Sequence, residues 1–331
     1  MPDILLLPQL ASFFDVTVDA LLGYEPQLTK EQIKSCYHKL AADFANNPFE
    51  EVMAESERLV KKYYSCYSFL GQICVLWLNH FMMAETPERR QEILDGIAGL
   101  CGHIMENCKD ISICNNAVSM KAMVDIQSGR TKEVIESLAD AQDANRYEGK
   151  EQILVQAYLM TGNLDAAEKA AQVNLYQNVL GAFGSGTQLL IIHMRDEAVC
   201  EEILGRMDAL VDAFDMENLH PNAVAGYQYQ AAVCLCMQQK EEEAYRRLEK
   251  YAKAAKRLFE ENIALHGDRF FTRLDEWISD MDLGGEGVRD RKLVEETALQ
   301  GFEHPAIKAL SDQERVGKIR KIVADVCCMC N

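Results

Sequence analysis

The sequence predicts an all-α fold, and three observations carry that expectation. Apolar residues recur at i, i+3 and i+4 along nearly the whole chain, the spacing of a single helix face. Only 7 of the 331 residues are proline, so few positions remove an N–H or clash inside a helix. No stretch alternates apolar and polar residues with β-branched enrichment for long enough to count as a strand.

Taken in order, the periodicity predicts helices over 3–14, 29–46, 48–65, 67–83, 88–107, 114–128, 131–142, 149–160, 164–177, 186–194, 197–214, 222–238, 241–262, 268–280, 289–301 and 312–326. Their boundaries carry helix punctuation at Asn46-Asn47-Pro48, Thr86-Pro87, Ser128-Gly129, Thr161-Gly162-Asn163 and His220-Pro221. Gly181-x-x-Gly184-x-Gly186 reads as a helix break or a close helix crossing. It lacks the Lys-Ser/Thr of a phosphate-binding loop, and no strand precedes it. His266-Gly267-Asp268 opens a helix, with Asp268 as its cap.

Composition narrows the function. The 34 basic and 52 acidic side chains give a net charge of −18, which argues against a general nucleic-acid binder. At 48% apolar and 26% charged, the chain is not bulk disorder. A length of 331 residues suggests two domains or one extended repeat array. Met1-Pro2-Asp3-Ile4 has no basic region of a signal peptide, and the apolar stretches 73–78 and 189–192 fall short of the ~20 residues a membrane helix needs. A cytoplasmic protein without membrane partners is expected. Most of the 12 cysteines, among them Cys66, Cys74, Cys101, Cys200 and Cys234, sit inside apolar helical patterns and read as reduced core residues. Cys327-Cys328-Met329-Cys330 contains a C-x-x-C but has no matching second pair, so it reads as a frayed tail rather than a zinc site. No metal site and no cofactor are expected. With no H-E-x-x-H or G-x-S-x-G, neither are catalytic residues or an enzyme.

An internal repeat is visible. Tyr158-x-x-x-Gly162-Asn163-Leu164-Asp165-Ala166-Ala167-x-x-x-Ala171 resembles the middle of a tetratricopeptide repeat, in which small residues let two antiparallel helices approach closely. Taking Ala167 as the small residue of the second helix, the equivalent positions are Val134 and Cys200, each 33 residues away, and Ala244, a further 44 along. The expected architecture is a tetratricopeptide-like α-solenoid of stacked helical hairpins; an irregular bundle of such hairpins is the alternative.

Residues 2–24 carry a second likeness. Pro2, Leu10-Ala11, Phe14, Val16-Thr17-Val18-Asp19 and Leu21-Leu22 resemble the last two helices of a Cro/CI-type (XRE-family) helix-turn-helix domain. Pro8 departs from that pattern by falling where the family has an ordinary helix residue, so this helix is expected to bend or start late. Further likenesses to the helical-repeat C-terminal region of such regulators in Gram-positive gut bacteria lie at Tyr63-Tyr64-Ser65-Cys66-Tyr67, Trp77-Leu78-Asn79-His80-Phe81, Glu106-Asn107-Cys108-Lys109-Asp110 and Leu265-His266-Gly267-Asp268.

The resemblance implies three regions: 1–26 as the end of a helix-turn-helix domain, 27–310 as a helical-repeat regulatory domain, and 311–331 as a terminal helix with a Cys-rich tail. It implies the dimerising or effector-sensing part of a DNA-binding transcriptional regulator. The recognition helix would lie before residue 1, so DNA would be bound only through that segment and no base contact can be nominated. A homodimer and a peptide or small-molecule effector are the implied partners. A general helical-repeat interaction scaffold is the rival reading.

Surface expectations follow from the repeat register. It puts Asn116, Ser119, Gln127, Gln152, Gln156, His193 and Tyr229, with Asn79 as a looser extension, on the exposed face of an effector groove, where amides could both donate to and accept from a peptide backbone. Phe270, Phe271, Leu274, Trp277 and Ile278 form an apolar stripe that serves either a two-fold interface or the core. Arg246, Arg247, Lys250, Lys253, Lys256 and Arg257, which follow Glu241-Glu242-Glu243, read as a solvated helix face.

Overall fold

A computed structural model describes residues 6–16, 18, 21, 27–138, 150–260, 265–285 and 287–327. All regular structure among the described residues is helical. The α-helices are α1 (Leu7–Phe13), α2 (Lys30–Asn46), α3 (Phe49–Lys62), α4 (Tyr67–His80), α5 (Pro87–Asn107), α6 (Ile111–Gln127), α7 (Thr131–Leu138), α8 (Lys150–Met160), α9 (Leu164–Ile192), α10 (Glu197–Ala213), α11 (Met216–Leu219), α12 (Pro221–Met237), α13 (Glu241–Glu260), α14 (Leu274–Ser279), α15 (Arg291–Gln300), α16 (Pro305–Lys308) and α17 (Gln313–Cys327). The chain divides into two compact units, Met1–Arg146 and Tyr147–Asn331. Residues of the expected 27–310 region contribute to both. Among the described residues, no helix is long and apolar enough to cross a membrane.

In the first unit, α2 starts at a capping box: the Thr29 hydroxyl accepts the Gln32 N–H while the Gln32 side chain accepts the Thr29 N–H. Its face Ile33, Tyr37, Leu40 and Phe44 is buried, as are Phe69, Leu70, Ile73 and Trp77 of α4 and Ile93, Ile97, Leu100 and Ile104 of α5. The one indole here finds a polar partner inside the core, Trp77 Nε1 donating to Ser56 Oγ at 2.9 Å. Pro8 sits in the first turn of α1, where a missing N–H costs nothing; residues 3–5 of the helix expected over 3–14 lie outside the described residues. Pro2, Thr17, Asp19 and Leu22, which carry part of the helix-turn-helix likeness, lie outside the described residues, as does the tail 328–331.

Three hairpins share one turn. At the end of α6, α8 and α12 the chain reverses through Gly129 (φ +76°), Gly162 (φ +74°) and Gln239 (φ +61°). In each, the left-handed residue donates to the carbonyl three residues back, and the next N–H reaches five residues back: Arg130 to Asp125, Asn163 to Tyr158 and Lys240 to Leu235. This double bond pattern satisfies the last carbonyls of the helix. Five residues beyond each left-handed residue lies a buried side chain: Val134, Ala167 and Ala244. Cys200, the remaining register position, is also buried, but the turn before it is a different one, in which Asp196 donates to His193.

In the second unit α12 and α13 pack together at the centre, against α9 on one side and α17 on the other. Gln313–Cys327 thus packs within this unit. Two sequence expectations change here. The separate helices 164–177 and 186–194 are one helix, α9, 29 residues long. A Cβ at Gly186 would run into Met207, so this glycine marks a close crossing with α10 and not a break. The helix expected at 268–280 starts only at Leu274. Asp268 Oδ1 accepts the N–H groups of Phe270 and Phe271 at 2.8 and 2.6 Å, a turn that takes up the first residues. The stripe belongs largely to the core: Phe271, Leu274 and Ile278 are buried, Trp277 packs beside them and Phe270 alone is exposed.

Substituting Ala244→Leu should insert three extra carbons at a fully buried contact. A loss of about 1–3 kcal/mol, or roughly 3–10 °C in melting temperature, is expected by calorimetry. An unchanged melting temperature would show that α12 and α13 do not meet there.

Candidate functional site

The predicted groove residues divide between the units. Asn79, Asn116, Ser119 and Gln127 belong to the first, and Gln152, Gln156, His193 and Tyr229 to the second. In the first unit Asn116, Ser119 and Gln127 are exposed on α6 and, with exposed Met123, follow one stripe at i, i+3, i+7 and i+11. Asn79 is turned back on its own helix, its amide donating to the Val75 carbonyl at 2.9 Å.

In the second unit α8 has no buried residue. Gln152, Gln156 and exposed Leu159 lie on one face at i, i+4 and i+7, flanked by exposed Ile153 and Met160. Amides interleaved with apolar side chains can bond an extended backbone while covering its side chains. His193 ends α9, and its carbonyl accepts the Asp196 N–H at 2.7 Å. Tyr229 departs from the expected exposed position. It is half-buried, its hydroxyl donates to the Gly301 carbonyl at 3.1 Å, and its ring lies 5.3 Å from that of Tyr251. Its polar tip is committed to the fold because α12 faces the 301–304 segment.

The sequence reading missed the most substantial polar cluster. Arg247 of α13 does not join the solvated basic face. Its guanidinium clamps both Asp208 oxygens at 2.6 and 2.7 Å and donates to buried Gln228 at 3.0 Å. The Tyr227 hydroxyl donates to Asp208 at 2.8 Å, so α10, α12 and α13 meet at one network. Burial pushes the Asp208 carboxyl upward, but the Arg247 and Tyr227 bonds outweigh it and hold the group below the usual carboxylate range. The signal was present: Arg247 stands at i+3 from Ala244 and i−4 from Tyr251, both core positions. Arg247, Asp208, Tyr227 and Gln228 bond to one another, which suits a structural clamp.

A cavity of about 440 Å³ lies between α2 and α3, lined by Ser35, Cys36, Lys39, Leu40, Glu55 and Leu59 among others. Burial pushes the Cys36 thiol up, which disfavours the nucleophilic thiolate. No group of three or more His, Cys, Asp or Glu side chains among the described residues could hold a metal ion.

No family model, curated protein or solved structure matches the chain. The residues themselves therefore carry the functional argument.

Replacing Asp208→Asn should strand the Arg247 charge and cost about 1–3 kcal/mol at pH 7. A lowered carboxyl stabilises the fold above its unfolded value near pH 4 and loses that contribution as pH falls through its folded value. The stability gap between wild type and variant should therefore narrow from pH 5 to pH 3 in urea titrations. A gap constant over that range would contradict the assignment.

Proposed function

We propose that this chain is the dimerising or effector-sensing part of a Cro/CI-type transcriptional regulator, built on tetratricopeptide-like hairpins. The observation that carries the reading is the face of α1. Phe13 is 81% and Phe14 59% exposed, and Leu6, Leu10 and Val16 are exposed with them. Such a face is what the closing helices of a helix-turn-helix domain offer to the helices above them, and it falls on the residues that resemble those helices. The recurrence of one hairpin turn at Gly129 and Gly162, 33 positions apart, supports the tetratricopeptide-like part of the reading. Within the second unit, the amide-bearing face of α8 is the proposed effector surface, with Gln152 and Gln156 as the groups that would bond a peptide backbone.

The rival reading, a general interaction scaffold, draws on the same α8. Its exposed Ile153, Leu154, Leu159 and Met160 make an apolar surface of the kind that marks partner sites.

Fusing an intact Cro/CI-type head of known operator to residue 2 tests the proposal. The bare chain should give no sequence-selective mobility shift at physiological salt. The fusion should occupy a two-half-site operator at least tenfold more tightly than a single half-site, because dimerisation tethers the second head. In a thermal-shift screen, an effector peptide should raise the melting temperature, and the triple change of Gln152, Gln156 and His193 to Ala should abolish that rise. A fusion with equal affinity for one and two half-sites would contradict dimerisation, and a full response in the triple variant would contradict the surface assignment.

A further inference from the structure

We infer that Cys200 and Cys234 form an oxidisable dithiol, a pair that hydroperoxides convert to a disulfide joining α10 to α12. Their sulfurs lie 3.2 Å apart, in contact across the two helices, and both residues are buried, at 1% and 0% exposure. Nothing in the regulator reading requires this pair. The contact is a consequence of the fold: Cys200 fills the small-residue position of its hairpin, so its thiol is pressed onto the neighbouring helix.

Both thiols are held towards the turn that joins α9 to α10. Cys200 donates to the His193 carbonyl at 3.1 Å and Cys234 to the Met194 carbonyl at 3.7 Å, while the Gln238 amide bridges the Met194 carbonyl and Cys234 sulfur at 3.0 and 3.5 Å. Arg195 and Asp196 of that turn are exposed, so opening a few residues admits a molecule as small as a peroxide. Burial and the adjacent Cys200 push the Cys234 thiol up to about 12, which disfavours its thiolate.

The first step falls on Cys200, which lies in the first turn of α10, just beyond exposed Arg195 and Asp196. Its thiolate attacks one peroxide oxygen, the O–O bond breaks, and the departing hydroxide takes up a proton to leave as water. Cys200 is then a sulfenic acid. Cys234 attacks that sulfur, the S–O bond breaks, and the oxygen leaves as a second water with the Cys234 proton. Two thiols and one hydroperoxide give one disulfide and two waters, or one water and one alcohol from an organic peroxide. The sulfurs lose two electrons and the peroxide gains them.

The disulfide would close a loop of 34 residues and hold α10 on α12, removing conformational freedom from the unfolded chain. The test treats the purified full chain with hydrogen peroxide, blocks remaining thiols with N-ethylmaleimide, and maps digested peptides by mass spectrometry without reductant. The expected product is a Cys200–Cys234 linked peptide pair, 2 Da below the sum of its parts, lost on dithiothreitol treatment. The melting temperature should rise by roughly 5–10 °C on oxidation and return on reduction. In Cys234→Ser, dimedone should trap a sulfenic acid at Cys200. Three results would each overturn the inference: both thiols still alkylatable after denaturation under peroxide exposure that oxidises the half-buried Cys36 and Cys108; a Cys200 driven to sulfinic acid in wild type without the link; or Cys200 paired mainly with another cysteine. The wild-type peptide map decides the matter even if the serine variant folds poorly.

Discussion

Close approach of two antiparallel helices after a left-handed turn is the constraint on which the second unit depends. A helical hairpin with one apolar face is marginal in water, because ordering its backbone costs more than a single contact face returns. It becomes stable only by stacking on the next hairpin, and stacking at close range needs a small side chain where the axes meet. Ala167 and Ala244 fill those places after left-handed turns and Cys200 after a turn of another kind, and each is buried. Gly186 meets the same requirement, since a Cβ there would displace the Met207 side chain.

Once α10, α12 and α13 are brought together, their polar residues have to be satisfied by one another. Arg247 meets Asp208, Tyr227 and Gln228 on the two neighbouring helices. The paired charges are fixed in place by two parallel hydrogen bonds, which specify the register of three helices more sharply than an apolar contact would. The thiol contact between Cys200 and Cys234 has the same origin. Small residues chosen for packing end up facing each other, and two of them happen to be reactive.

Much of this was legible in the sequence. Periodicity placed nearly every long helix, and the register through Val134, Ala167, Cys200 and Ala244 marks four buried positions because turn chemistry and small-residue spacing are local signals. Where the reading differed, a tertiary contact decided. Three glycines in six residues read as a break or a close crossing, and α9 runs through them with Gly186 packed against α10. Arg247 looks like part of a solvated basic run, and only the neighbouring helices reveal that it turns inward. Tyr229 was placed by a register that cannot anticipate the segment around Gly301, far along the chain. The amide positions on α6 and α8 were legible as exposed helix faces, but an exposed amide carries no mark of what it binds.

The shared turn can be tested at its least favourable member. Gln239 holds a left-handed backbone at φ +61°, which a residue with a Cβ adopts at a cost of about 1 kcal/mol, whereas Gly129 and Gly162 hold theirs freely. Calorimetry of Gln239→Gly should therefore show a higher melting temperature, by roughly 2–4 °C. A lower one, of the size glycine causes in an ordinary helix, would mean that position 239 is helical and that the hairpin joining α12 to α13 is not the unit on which this fold is built.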